Sequence, residues 1–136
     1  MTSAPNPEVK LALVVHPDLS VLSKFQETFK QAGMTTLLAR DLPTALVALS
    51  QNNFEVAVIS WRVSESGYGW ALGATLRRIF PSAFVVVLAN ETSVPTLKEA
   101  INQGFDRLYD ESHRPEDVAA RIIVDYSKRP GAAGVH

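Results

Sequence analysis

The sequence predicts a three-layer α/β domain in which a parallel sheet lies between two layers of helices. Short apolar segments alternate with longer segments whose apolar residues recur every three or four positions. The first pattern is typical of buried strands and the second of amphipathic helices. Because strand and helix alternate five times, the order indicates five βα units with helices on both faces of the sheet.

The composition fits one globular domain and excludes several kinds of site. The chain has 136 residues, 46% of them hydrophobic and 20% charged, which is enough to bury a core without a disulfide or a metal. It contains no cysteine, which excludes cysteine-zinc sites, iron–sulfur clusters and thiol nucleophiles. A net charge of −1 argues against direct nucleic-acid binding. The basic pair Arg77 and Arg78 is too small for a nucleic-acid site and is assigned to the polar side of a helix.

The two ends of the chain are expected to lie outside the domain, which spans residues 10–129. Residues 1–9 are polar and contain proline, so we expect a disordered N-terminal tail and no signal peptide. Residues 130–136 contain proline and glycine, as a C-terminal tail or linker does. No apolar run approaches the ~20 residues of a membrane span, so we expect a cytoplasmic protein without membrane association.

The first two βα units have clear boundaries. Leu11–Val15 is the first predicted strand, and Asp18 caps a helix that Gly33 ends. The apolar face of this helix consists of Leu19, Leu22, Phe25, Phe29 and Ala32. Thr35–Ala39 is the second strand, and Asp41 opens the helix that follows it. The apolar face of the second helix consists of Leu42, Ala45, Leu46 and Leu49.

The third and fourth units contain the most apolar strands. Phe54–Ser60 is the third strand and Phe84–Leu88 the fourth, and their continuous apolar runs suit strands covered on both faces. Between them, a loop from Trp61 to about Gly69 leads to a helix that Pro81 ends. The apolar face of this helix consists of Leu72, Leu76 and Ile79.

The last strand has the weakest pattern of the five. A helix that carries Val94, Leu97 and Ile101 is closed by Gly104, and Phe105–Tyr109 is the fifth predicted strand. The final helix begins at proline, with acidic residues in its first turn and basic residues in its last, which suits the helix dipole. Its apolar face consists of Val118, Ile122 and Tyr126.

The predicted topology indicates where a site belongs. Right-handed crossovers leave few ways to order five parallel strands, and the simplest is 2-1-3-4-5, the flavodoxin-like arrangement. Ligands of such sheets bind beyond the carboxyl ends of the strands, where the order reverses between strands one and three. The residues that follow the strands at this edge are His16, Pro17, Asp18, Ser60, Trp61, Arg62, Ala89, Asn90, Asp110 and Glu111.

Several stretches resemble the receiver domain of bacterial two-component response regulators. They are Leu13–Val15 before a loop, Val85–Ala89 in the fourth strand and Ala100–Asp106 before the fifth, and the resemblance spans about Lys10 to Lys128. It implies a phosphorelay in which a histidine kinase transfers a phosphoryl group to an aspartate. In that family an acidic pair after strand one holds Mg²⁺, and an aspartate ends strand three. A Ser or Thr ends strand four, and a Lys follows strand five.

The chain departs from the family at almost every one of these positions. The acidic pair is matched by His16 and Pro17, and only Asp18, one place later, is acidic. The phosphoacceptor is matched by Ser60, and the lysine by Glu111 with its charge reversed. The Ser/Thr position and the aromatic switch position in strand five are matched by Ala89 and Leu108.

These departures predict an atypical, non-phosphorylatable pseudo-receiver that is not an enzyme. A serine hydroxyl is a weak nucleophile without an adjacent base. Histidine and proline cannot replace two carboxylates around Mg²⁺. We therefore expect no catalytic residue, no metal site and no cofactor, Mg²⁺ included.

A receiver-like domain without phosphorylation chemistry is expected to be a protein–protein interaction module in signal transduction or transcriptional regulation. Its partner would be another protein or a second copy in a homodimer. In the receiver family, the face formed by helix four, strand five and helix five commonly mediates such contacts. Carried over to this chain, the candidate interaction face consists of Lys98, Asn102, Arg107, Tyr109, Arg121 and Asp125.

Three large aromatic residues, Trp61, Tyr68 and Trp70, cluster in the loop that follows the third strand. One hypothesis places an aromatic ring in the space that phosphate and metal occupy in a true receiver. The other makes the three residues a partner-binding patch, because Trp and Tyr are favoured at binding hot spots. The sequence leaves both hypotheses open.

Other functions remain alternatives for the crevice. A ligand- or pH-sensing domain would use the modified pocket around His16 and Ser60, because imidazole titrates near neutral pH. Asp18 with His16 and Ser60 would form a hydrolytic triad, although the Gly-x-Ser-x-Gly elbow is missing. His16, Asp18 and Glu111 match a transition-metal ligand set. Gly67–Gly73 resembles a dinucleotide fingerprint, but its spacing is one residue too long and it follows the third strand.

Overall fold

The structure, a computed structural model, describes residues 10–63, 68–90 and 93–129, without the side chains of residues 68–71. The strands are β1 (Lys10–Val15), β2 (Met34–Ala39), β3 (Val56–Ser60), β4 (Phe84–Ala89) and β5 (Arg107–Asp110). The helices are α1 (Leu19–Gln31), α2 (Leu42–Gln51), α3 (Tyr68–Ile79), α4 (Val94–Asn102) and α5 (Pro115–Lys128). A 3₁₀ turn, Trp61–Val63, follows β3. The predicted tails at 1–9 and 130–136 lie outside the described residues.

The strands form one parallel sheet in the order β2-β1-β3-β4-β5, which confirms the predicted flavodoxin-like arrangement. The central strands β3 and β4 are buried at every residue because helices cover both faces of the sheet. The two edges of the sheet are β2 and β5. No helix in the described ranges has both the length and the hydrophobicity needed to cross a membrane.

Two hydrophobic cores lie on opposite faces of the sheet, because successive side chains of a strand point to opposite faces. The core beneath α1 and α5 contains Val14, Phe25 and Ile122. The core beneath α2, α3 and α4 contains Leu13 and Leu76. Side chains from alternating positions of the same strands fill both cores. Because all the strand pairs are parallel, the carboxyl ends of the strands lie along one edge of the sheet.

The predicted helix boundaries are confirmed where a cap was expected. Oδ1 of Asp18 accepts a hydrogen bond from the backbone N–H of Ser20 at 2.8 Å, and Oδ1 of Asp41 accepts one from Thr44 at 2.9 Å. Gly33 follows α1 with a φ of 86°, a left-handed conformation that glycine adopts without steric cost.

Three predicted boundaries were wrong. Strand β3 begins at Val56 rather than Phe54, because Phe54 packs into the core beneath α2, α3 and α4 before the strand starts. Strand β5 begins at Arg107 rather than Phe105, because Phe105 lies in the preceding turn and packs into the core against Gly73. Helix α3 begins at Tyr68, so that Gly69 lies within the helix and not in a loop.

Arg77 has a structural role that the sequence did not indicate. Its guanidinium donates hydrogen bonds to the backbone carbonyls of Pro81 (2.8 Å), Ala83 (3.1 Å) and Gly104 (3.2 Å). It also forms an ion pair with Asp106. These bonds join the end of α3 to the turns that precede β4 and β5, so Arg77 is not simply part of a polar helix side.

The apolar residues of α4 face solvent rather than the core. Val94, Leu97 and Ile101 are 63%, 40% and 58% exposed, and Ala100 is the one buried residue of this helix. We call the three exposed residues the α4 stripe (Val94, Leu97 and Ile101). Since α4 is short and lies over the sheet edge at β5, it has little sheet surface to cover.

Candidate functional site

Four side chains meet in a crevice at the carboxyl ends of the strands. His16 follows β1, Ser60 ends β3, Arg62 lies in the 3₁₀ turn and Glu111 follows β5. His16 and Ser60 are only 2% and 0% exposed. We call these residues the crevice cluster (His16, Ser60, Arg62 and Glu111), and they occupy the place that strand order assigns to a ligand.

An ion pair closes the crevice. Nε of Arg62 lies 3.0 Å from Oε1 of Glu111, whose side chain is only 13% exposed. The hydroxyl of Ser60 accepts a hydrogen bond from the backbone N–H of Arg62 at 3.1 Å and makes a longer contact, 3.5 Å, to Oε2 of Glu111. Because β4 lies between β3 and β5, the pair spans the end of β4. Because the side chain of Arg62 is half-exposed, the ion pair stabilises the fold by only about 1 kcal/mol or less. The main effect of the pair is therefore to fill the crevice.

His16 is a neutral side chain in this environment. Its Nδ1 accepts a hydrogen bond from the backbone N–H of Asp18 at 2.9 Å, which assigns the ring proton to Nε2. Burial first, and then the nearby charge of Arg62, lower the pKa of His16 to about 4, although the charge of Asp18 opposes both. The expectation that His16 titrates near neutral pH is therefore wrong, which removes the basis of the pH-sensing alternative.

The loop after β1 has no free carboxylate pair. The carboxylate of Asp18 caps α1 through the backbone N–H of Ser20, as described above. Pro17 contributes only its carbonyl, which accepts two hydrogen bonds of 3.2 Å from the guanidinium of Arg40. This donor set, with a neutral buried imidazole, a proline and a capping aspartate, does not suit Mg²⁺.

The described residues do not assemble the hydrolytic triad or the metal site, and the glycine-rich stretch Gly67–Gly73 begins outside the described residues. The Ser60 hydroxyl contacts Arg62 and Glu111, and Nδ1 of His16 is occupied by the Asp18 amide, so the triad is not formed. Within the described ranges, no three His, Cys, Asp or Glu side chains are grouped as metal ligands. The cavity beside the cluster measures about 60 Å³, far below the roughly 300–1,000 Å³ of small-molecule pockets.

The predicted interaction face divides into structural and exposed residues. The hydroxyl of Tyr109 donates a hydrogen bond to Oδ2 of Asp125 at 2.6 Å, and Arg121 pairs with Asp125 at 3.3 Å. Burial, followed by this hydrogen bond, raises the pKa of Tyr109 above its usual range. Tyr109 and Asp125 thus hold β5 against α5. The remaining members of the face are exposed: Lys98, Asn102, Arg107 and Arg121.

The α4 stripe was missed as a surface feature. Its spacing was interpreted as the buried side of a helix, since sequence periodicity does not tell which side of an end helix is covered. It shares α4 with Lys98 and Asn102, and therefore adds an apolar centre to the predicted face.

The other predicted site residues lie away from the crevice cluster or outside the described side chains. Trp61 and Leu108 are half-buried against the core beneath α2, α3 and α4, and Ala89 is buried. Tyr68 and Trp70 lie in the first turn of α3, so the prediction that they belong to a loop was wrong. Their side chains lie outside the described part of the structure. The side chain that reaches across the crevice is Arg62.

Solved structures similar to this chain include response regulators and their receiver domains. A Francisella receiver domain is 24% identical, with a TM-score of 0.74 over 88% of this chain and 98% of that one. A Burkholderia pseudomallei response regulator with a phosphorylated aspartate is 21% identical, with a TM-score of 0.74 over 88% of this chain and 69% of that one.

An orphan response regulator of H. pylori is 14% identical, with a TM-score of 0.74 over 90% of this chain and 99% of that one. No protein-family model and no curated protein matches the sequence. At these identities the similarity establishes the receiver fold.

Proposed function

We propose that this chain is a pseudo-receiver, a domain that binds another protein in signal transduction and does not accept a phosphoryl group. The observation that carries the proposal is the Arg62–Glu111 pair, which fills the crevice at the end of β3. Val56–Val63, which covers β3 and its 3₁₀ turn, contains no Asp or Glu. Therefore, even if the phosphoacceptor position were shifted by a few residues along this segment, no carboxylate would be found there.

The charges of the crevice also oppose phosphoryl chemistry. An incoming phosphoryl group would approach the negatively charged and largely buried carboxylate of Glu111, which would repel it. The positive charge of Arg62 is already paired with this carboxylate. His16 is neutral and adds no cation. No member of the crevice cluster has a free positive charge that could stabilise the transferring oxygens, and the proposal includes neither Mg²⁺ nor an enzymatic step.

Treatment with acetyl phosphate and Mg²⁺ is expected to leave the intact mass of the protein unchanged. A receiver domain that contains the phosphoacceptor aspartate, treated in parallel, shows that the reagent is active. A stable mass increase that maps to a phosphopeptide containing Ser60, or to any carboxylate of the crevice, would contradict the proposal.

The partner surface is proposed to be the α4 stripe with its polar neighbours Lys98 and Asn102. Exposed apolar clusters bordered by polar residues are typical of protein interaction sites. The described part of α4 buries only Ala100, so the stripe contributes little to the core and is available to a partner.

Ile101→Asp is expected to abolish partner capture while the free energy of unfolding changes by no more than about 0.5 kcal/mol. Ile101 is 58% exposed, so a charge there costs little in the free domain but is costly in an apolar interface. The measurement is affinity capture from a lysate of the source cell, with chemical denaturation for stability. Val47→Asp, at a 56% exposed site on α2, is the matched control. Equal capture by both variants would exclude the α4 stripe.

A further inference from the structure

Strand β2 is an unprotected edge of the sheet. Its six residues, Met34–Ala39, include no charged residue and no proline. All six pair in continuous register with β1, so the strand has no bulge. Free edges are normally protected by lysine, proline or bulges. Strand β2 lacks all three, and no strand within residues 10–63, 68–90 and 93–129 pairs with its outer side.

The backbone groups of Thr36 lie at the middle of this free edge. The carbonyl of Ala39 accepts a hydrogen bond from His16 N–H at 3.0 Å and therefore points toward β1. Since the direction of the backbone groups alternates along a strand, those of Met34, Thr36 and Leu38 point away from the sheet. A second strand can pair with them without disturbing the β1–β2 ladder.

The side chain of Thr36 also lacks a partner. It is 8% exposed, and its Oγ1 has no hydrogen bond within the part of the chain that the structure describes. Thr36 lines a groove of about 550 Å³ between α1 and β2. Because the hydroxyl is buried inside the domain, a partner at this edge would meet the backbone of Thr36 and the rim of the groove rather than Oγ1.

We propose that a second copy of this chain docks on β2 and pairs with it in antiparallel orientation about a two-fold axis beside Thr36. Thr36 then faces Thr36 of the second copy, and Met34 faces Leu38. The backbone N–H of each Thr36 then donates to the backbone carbonyl of the other Thr36, as in a hydrogen-bonded antiparallel pair. Because of the two-fold axis, both copies use the same residues in the interface. The two five-stranded sheets then form one continuous sheet.

The charges that line the groove suit a second copy. Glu27 and Lys30, one turn apart on the outer side of α1, carry opposite charges there. Two copies related by the axis place each Glu27 carboxylate within reach of the other copy's Lys30 ammonium, and the joined linings have no net charge. This surface lies at the edge of the sheet opposite to β5 and is independent of the proposed function.

The absence of cysteine from the sequence provides a direct test. Paired Cα atoms across antiparallel strands are about 5.5 Å apart, within the range that a disulfide bridges. Thr36→Cys under mild oxidation is therefore expected to form a covalent dimer, twice the 14.9 kDa of the chain. Val47→Cys and Ile101→Cys, at exposed sites on α2 and α4, are expected to stay monomeric. A dimer formed faster by Ile101→Cys than by Thr36→Cys would overturn the proposal.

A charge exchange tests the same interface without altering β2. Lys30→Glu is expected to shift the dimer toward monomer in sedimentation equilibrium, and Glu27→Lys with Lys30→Glu is expected to restore it. Both side chains are exposed, so folding is retained and circular dichroism checks this. A wild-type chain that stays monomeric throughout the micromolar range, or a dimer that Lys30→Glu leaves unchanged, would refute the pairing.

Discussion

Gly73→Val is expected to destabilise the domain by about 3 kcal/mol, because no side chain fits at this position of α3. A Cβ on Gly73 would lie 2.3 Å from Cζ and 2.4 Å from Cε2 of Phe105. Phe105 is 3% exposed and belongs to the core beneath α2, α3 and α4, so its ring has no space into which to withdraw. The better helix propensity of a non-glycine residue, about 1 kcal/mol or less, does not offset this clash.

Urea denaturation followed by circular dichroism measures the effect of Gly73→Val. The double variant Gly73→Val with Phe105→Ala is the control, because removal of the ring creates the space that the new side chain needs. We expect the two substitutions to be less destabilising together than their separate costs imply. A Gly73→Val midpoint equal to that of the wild type would show that α3 and the turn before β5 are not in the close contact described.

The second large effect is a loss of stability between pH 6.5 and pH 4 that originates from His16. Burial lowers its pKa in the folded protein to about 4, from 6.5 in the unfolded chain. As the pH falls below 6.5, the unfolded chain takes up a proton that the folded chain does not bind until about pH 4. The free energy of unfolding therefore falls by about 1.4 kcal/mol per pH unit in this window, and by ~3 kcal/mol in all. Above this window His16 adds no pH dependence.

His16→Asn separates this contribution from those of other groups. The asparagine Oδ1 can accept the Asp18 N–H as Nδ1 does, but it does not titrate. Carboxylates whose hydrogen bonds lower their pKa, such as Asp41 and Asp110, are present in both proteins and cancel in the difference. The stability of the wild type minus that of the variant is expected to fall as the pH falls from 6.5 to 4. A difference that stays flat across this window would mean that His16 is accessible and charged.

The fold could be predicted because each local signal agreed with the others. The continuous apolar runs of β3 and β4 indicated strands covered on both sides, and Asp18 and Asp41 marked helix starts that the structure confirms. The place of the candidate site followed from topology, since parallel strands end at one edge. The start of β5 was wrong because Phe105 has a strand-like sequence but packs as a turn residue.

The chemistry of the crevice could not be predicted to the same depth. The pairing of Arg62 with Glu111 depends on how two loops lie across the end of β4, which no local pattern encodes. The pKa of His16 depends on burial, and its neighbours in the sequence do not reveal that. The exposure of Leu97 and Ile101 depends on how far the sheet extends beneath α4, whereas periodicity indicates only that the helix has an apolar side.

The strand order has a thermodynamic consequence for the two proposed surfaces. Strands β2 and β5 lie at opposite edges, four interstrand spacings or about 19 Å apart. Neither surface contains a residue of the other, and the buried strands between them form a single packed unit. We therefore expect a coupling free energy close to zero, so that self-association does not alter the intrinsic affinity for a partner at the α4 stripe. A joined pair would then present two equivalent sites at the outer ends of one continuous sheet, and a partner with two matching epitopes would gain avidity without any new contact.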